Sequence, residues 1–156
     1  MPPKYLTKAV ALQKLQRYCA YQDRCHQEVR TKLLELGVYG DTLEEVMAEL
    51  ITERFLDEER FAKSYARGKF RVKKWGRIRI QQELKMRKIS AYCIKQGMAE
   101  IDEDAYRATL QEIISQKITH YGARHEGFVA RQKAAQYALG RGYESSLVWD
   151  TLNELA

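Results

Sequence analysis

Proline occurs only at Pro2 and Pro3, so everything from Lys4 onward is free of the strongest helix breaker. That stretch is rich in Leu, Glu, Gln, Lys, Arg and Ala, which favours helix along its whole length. An all-α chain is therefore expected. With 156 residues, 45% apolar and 31% charged, the composition is that of a soluble globular protein rather than a disordered one.

Apolar spacing and punctuation divide the chain into nine helices. The first runs from about Lys8 to Tyr21 around Leu12, Leu15 and Cys19. The second runs from about His26 to Leu36 around Val29 and Leu33, and Gly37 ends it. Asp41 or Thr42 is expected to cap the third, because both four-residue windows starting there fit a capping box ahead of Leu43, Val46, Met47 and Leu50. A fourth spans Asp57 to Lys74 and is broken by Gly76; a fifth covers about Arg77 to Lys88 around Ile80 and Leu84. Ser90 caps a sixth carrying Ile94, Met98 and Ile101. Asp102, Glu103 and Asp104 open a seventh whose inner face is Tyr106, Leu110, Ile113 and the stem of Lys117. The eighth covers about Phe128 to Leu139, and the ninth about Ser145 to Leu155 with Leu147, Val148, Trp149 and Leu152.

The nine form three sets of three. The junctions Gly37-Val38, Lys88-Ile89 and Gly142-Tyr143 fall between the second and third helix of each set, at periods of 51 and 54 residues. Units of residues 1–54, 55–101 and 102–156 follow. Each buries little alone and gains by stacking on its neighbour, so the expected architecture is an elongated, curved array of three tandem three-helix repeats.

The fourth helix bears two opposed stripes. Phe61, Tyr65, Gly68, Val72 and Trp75 recur at spacings of four and three and define an inner face. Arg60, Lys63, Arg67, Arg71 and Lys74 recur likewise on the other side. No acidic residue lies between Arg60 and Glu83, so apart from a Glu59–Lys63 pair these cations lack partners one turn away. Residues 67–90 hold ten basic side chains against Glu83 alone, and the flanking thirds are slightly acidic, so the whole excess of +6 sits in the middle. Such a stripe suits a polyanion or an acidic protein surface. From Arg60 to Lys74 it covers roughly 21 Å. Five engaged cations would give a log-affinity against log-salt slope of about −3.5 on single strands and about −4.5 on duplex. Trp75 and Phe70 could stack on bases; Trp75 lies on the apolar stripe, whereas Phe70 projects away from it and is the better stacking candidate.

Enzyme chemistry finds no support. There is no phosphate-binding G-x-x-x-x-G-K-[ST] loop, and His26, His120 and His125 lack zinc-protease spacing. Cys19, Cys25 and Cys93 contain no C-x-x-C pair, which points to neither a disulfide framework nor a zinc site but to a reducing cytosol. No metal or other cofactor is expected, nor a catalytic residue. No apolar run reaches the roughly 20 residues of a membrane span, and no leader pattern opens the chain, so a cytoplasmic protein without membrane contact is expected.

Phe55-Leu56-Asp57-Glu58-Glu59-Arg60-Phe61-Ala62 resembles the signature of the RecX family, regulators of the bacterial RecA recombinase. Gly76-Arg77-Ile78 followed by Glu83-Leu84 resembles its continuation. Arg24, Glu28-Val29, Lys32-Leu33 and Gly37, with the closing Gly142-Tyr143, extend the likeness over roughly residues 8–155. The chain departs at Lys88, where the family often has glycine, and at Cys25, where it often has serine. The resemblance implies tandem three-helix repeats that lodge in the groove of RecA filaments on single-stranded DNA and damp ATPase, strand-exchange and coprotease activities. The expected partners are thus the RecA filament and single-stranded DNA, met directly or through RecA, and a monomer is expected. The cations expected to make that contact are Arg60, Lys63, Arg67, Arg71 and Lys74, supported by Lys73, Arg77, Arg79 and Arg87. The competing readings are a stand-alone DNA-binding protein of helix-turn-helix type, built on the fifth and sixth helices, and a protein-only scaffold.

Overall fold

A computed structural model of the chain describes residues 6–155. Positions 1–5 and 156, the outer margins expected for the first and third units, lie outside it. Among the described residues there are nine α-helices and no strand: α1 Lys8–Tyr21, α2 His26–Glu35, α3 Gly40–Thr52, α4 Glu58–Arg71, α5 Arg77–Met86, α6 Ala91–Met98, α7 Glu103–Gly122, α8 Gly127–Gly140 and α9 Ser145–Glu154. Packing follows threes: α1 and α2 lie on α3, α4 on α5 and α6, and α7 on α8 and α9. The surface of 9863 Å² exceeds the roughly 8,100 Å² of a compact monomer of 18.3 kDa, as an elongated array requires.

Four of the nine helix starts carry a side-chain cap. Thr7, Asp57, Ser90 and Asp102 accept from the N–H three residues on, at 2.9–3.2 Å. The third helix differs. It begins at Gly40 with Tyr39 as the N-terminal flanking residue, so neither Asp41 nor Thr42 caps it and no capping box forms. Gly40, at φ 63°, turns the chain one residue earlier than the capping pattern indicates.

The three junctions share one backbone conformation. Gly37, Lys88 and Gly142 have φ of 80°, 58° and 101°. Val38, Ile89 and Tyr143 then donate to the carbonyls of Leu33, Leu84 and Ala138 at 2.9, 3.2 and 3.2 Å. Gly37, Lys88 and Gly142 donate to Leu34, Lys85 and Leu139 at 3.0, 2.9 and 3.0 Å. These paired bonds satisfy the last carbonyls of each second helix and drive the following side chain inward, and Val38, Ile89 and Tyr143 are all buried.

Three units do not make three cores. Leu15, Leu33, Val46 and Leu50 belong to a core confined to α1–α3 and the segment after them. Phe70, Leu84, Tyr106, Leu110, Tyr143 and Val148 belong to a single core running through α4–α9. Backbone bonds join those two units directly: Gly76 N–H donates to Arg141 O at 2.8 Å and Ile78 N–H to Gly142 O at 2.9 Å. The approach is so close that a Cβ on Gly76 would lie 2.2 Å from the Gly142 carbonyl carbon, and one on Gly142 would lie 2.4 Å from Arg79 Cβ.

Candidate polyanion-facing site

Asp57 and the acidic pair Glu58-Glu59 sit at the positive end of α4 and fix its start. The buried face of the helix is Phe61, Ala62, Ala66 and Phe70, with Tyr65 at its edge. Two expectations are reversed here. Phe70 is 7% exposed, with its ring 5.7 Å from that of Tyr106 in α7, so it is core and offers no free face for stacking. Val72 is 77% exposed, and Gly68 is exposed with open space beside it, so neither packs inward. The helix stops at Arg71, three residues short of the expected end, and Val72 as its C-cap keeps a helical backbone with its N–H on Gly68 O at 2.9 Å, so its exposure follows from the face it occupies. Small alanines and a neighbouring unit moved the true stripe toward Phe70, and neither is visible in a count of large apolar residues.

Beyond α4 the chain turns through residues 72–75, with Lys74 in the left-handed region at φ 55°. Trp75 N–H reaches back to Lys69 O at 3.1 Å. The third unit pins the turn from outside: Arg141 donates to Lys73 O, and the Tyr143 hydroxyl donates to Lys74 O at 3.0 Å. Lys73 and Lys74 are thereby exposed on a braced backbone.

The expectation that the cations stand unpaired holds for only some of them. Arg60 bonds Asp23 at 2.8 Å and also donates to the carbonyls of Arg54 and Phe55 at 3.0 and 3.1 Å, tying the second unit to the first. Arg67 bonds Glu100 at 2.9 Å. Arg87 bonds both the carboxylate and the carbonyl of Glu83 at 3.0 Å. Arg77 is the most committed. Its guanidinium lies 4.0 Å over the Tyr106 ring and pairs with Glu103 at 2.8 Å and Glu144 at 2.7 Å, with its side chain 24% exposed. Burial would lower its pKa, but Glu103 and Glu144 outweigh that and hold it raised. The partners of Arg60, Arg67 and Arg77 come from loops and from other units, so the absence of acids between Arg60 and Glu83 gave no sign of them, whereas Glu83 stands one turn before Arg87. Pairs as exposed as Arg60–Asp23 and Arg67–Glu100 are worth only about 0.2–1 kcal/mol, yet they cancel the local field that a polyanion would feel.

Lys63, Arg71, Lys73, Lys74 and Arg79 carry no ion pair among the described residues. Arg71, Lys73 and Lys74 are exposed, while Lys63 and Arg79 are half-buried. Arg79 lies 4.0 Å over the Trp75 ring. Lys69 was not among the expected contact residues, yet it sits 5.4 Å from the Tyr65 ring and 4.9 Å from that of Trp75. Its place one turn after Tyr65 is the signal that could have found it.

Burial pushes the Cys19 thiol up to about 11, and all three cysteines are buried. Among the described residues no cluster of His, Cys, Asp and Glu has metal-binding geometry, and no helix is long and apolar enough to cross a membrane.

A model of the first three-helix domain of RecX matches residues 11–50, and one of the second three-helix domain matches residues 57–98. A regulatory protein RecX of Prosthecochloris aestuarii is 28% identical over 147 residues, covering 93% of each chain. One from Lactobacillus johnsonii is 26% identical over 137 residues, and one from Clostridium acetobutylicum is 26% identical over 135. The matches cover 50% and 62% of those two longer proteins. Among solved structures, RecX from Lactobacillus salivarius superposes with a TM-score of 0.84 over 95% of this chain and 96% of its own, at 19% identity. A second RecX crystal structure gives 0.83 over 94% and 71%, at 21% identity. At such identities the structural likeness speaks for the fold.

Proposed function

The chain belongs to the RecX family of regulatory proteins, and from that premise we propose that it binds RecA filaments on single-stranded DNA and restrains their ATPase, strand-exchange and coprotease activities. The observation that carries this reading is the run of cations without carboxylate partners along the outer side of α4 and the braced turn after it: Lys63, Arg71, Lys73 and Lys74. A nucleoprotein filament offers phosphates and acidic protein surface along a groove, and an elongated, rigid array suits such a groove. Arg60, Arg67, Arg77 and Arg87 serve this function chiefly by building the surface, since their charge is met within the protein.

A stand-alone helix-turn-helix protein is the weaker reading, because α6, which would have to enter a groove of duplex DNA, carries Lys95 as its single cation. RecA's single-stranded-DNA-dependent ATPase, measured against increasing amounts of this protein, separates the two. Inhibition at amounts too small to coat the DNA is expected; sequence-selective duplex binding with no effect on RecA would favour the alternative, and no effect of either kind a scaffold. In the same assay system Arg71→Ala with Lys74→Ala should flatten the salt slope of strand or filament binding by about 1.4. Arg67→Ala should change it less, because Glu100 already meets that charge.

A further inference from the structure

A second set of cations lies toward α5 rather than on the outer side of α4, interleaved with two aromatic rings. Arg87 sits 4.9 Å from the Tyr65 ring. The Tyr65 and Trp75 rings meet edge-on, 6.5 Å apart at 62°. Lys69 lies against both, and Arg79 lies over Trp75. All five side chains are half-buried at the margin of the second core, not inside it. Arg87 alone among the three cations has a carboxylate, in Glu83; Lys69 and Arg79 have none among the described residues.

We infer that this ledge of Tyr65, Lys69, Trp75 and Arg79 binds single-stranded nucleic acid directly, its rings stacking on bases and its two uncompensated cations meeting phosphates. Aromatic faces beside cations form the combination that holds unpaired strands without sequence preference, because every base has a π-face. The planar guanidinium of Arg79 can stack as well as pair. A duplex keeps its bases stacked on each other and has none to offer. Tyr65 and Lys69 also line a cleft of about 830 Å³, which carries Asp23 and Glu28 on the first unit's side and Arg87 on the side of α5, so the ledge forms one margin of that cleft. The inference rests on the reading that this protein meets RecA–DNA filaments, and adds base contact to it.

The chain has two tryptophans, and Trp149 lies in α9, so Trp149→Phe leaves Trp75 as the sole reporter. That variant is titrated with an end-labelled thymidylate oligomer and with an abasic oligomer of equal length, following both tryptophan emission and anisotropy. Quenching of Trp75 by thymidylate and not by the abasic strand is expected. Lys69→Ala with Arg79→Ala, helicity being checked by circular dichroism, should flatten the salt slope of thymidylate binding by about 1.4. Trp75→Leu should weaken thymidylate binding roughly five- to a hundredfold and leave abasic binding unchanged. Equal quenching by both strands would overturn base stacking. Anisotropy without quenching would move the strand elsewhere, and RecA inhibition without any strand binding would remove it; either result sinks the ledge and leaves the filament reading standing. Quenching by polyglutamate but not by thymidylate would make this an acidic-peptide site and likewise overturn the inference.

Discussion

Lys88 holds a left-handed backbone where its two sister junctions have glycine. The conformation costs a residue with a Cβ about 1 kcal/mol or more. It is retained because Ile89 must swing inward and bond Leu84 O at 3.2 Å. Lys88→Gly should therefore stabilise the protein by up to about 1 kcal/mol, partly offset by the looser unfolded chain, and urea unfolding would register it as a later midpoint with unchanged slope. Lys88 is thus a stability defect in an otherwise repeated turn, and it adds one exposed cation to the basic segment.

At the scale of elements, α4 and α6 approach too closely for any side chain between them: a Cβ on Gly97 would lie 2.7 Å from Ala62 O. Gly97→Ala, although favourable for an isolated helix, should destabilise the fold by about 1–3 kcal/mol, seen as a lowered melting temperature. The start of α5 is bolted to α7 and α9 through Arg77, and Glu103 is the acid-sensitive part of that bolt. Arg77, and after it Arg107, hold the Glu103 carboxyl below its ordinary value of 4.5. A depressed folded value stabilises above the ordinary one and loses its effect as pH falls through the depressed one. Unfolding followed below about pH 4.5 should therefore show the wild type losing stability more steeply than Glu103→Gln. Helix existence and the starts of α6 at Ser90 and α7 at Asp102 were legible in the chain, because caps and apolar periods are local. The inner face of α4 was not, since Ala62, Ala66 and Phe70 are chosen by Gly97 and Tyr106, residues far along the chain. The partners of Arg60, Arg67 and Arg77 were hidden for the same reason, which is why the cationic stripe looked longer than it is.

Across the whole molecule the three repeats are mechanically unequal. The second and third share a core, two backbone bonds and the ring contacts of Phe70, Tyr106 and Tyr143, whereas the first keeps its own core and meets the second through Arg60 and the buried Cys25. The third unit nevertheless reaches the cationic turn, through Arg141 and Tyr143. Tyr143→Phe removes one bond to that turn and no charge. It should cost about 1 kcal/mol of stability and weaken filament binding several-fold while leaving the salt slope unchanged, which distinguishes it from Arg71→Ala with Lys74→Ala. A ligand resting on Lys73 and Lys74 would accordingly sense the distant C-terminal helices as rigidity alone. Changes there could tune how firmly this protein grips its target without ever touching it.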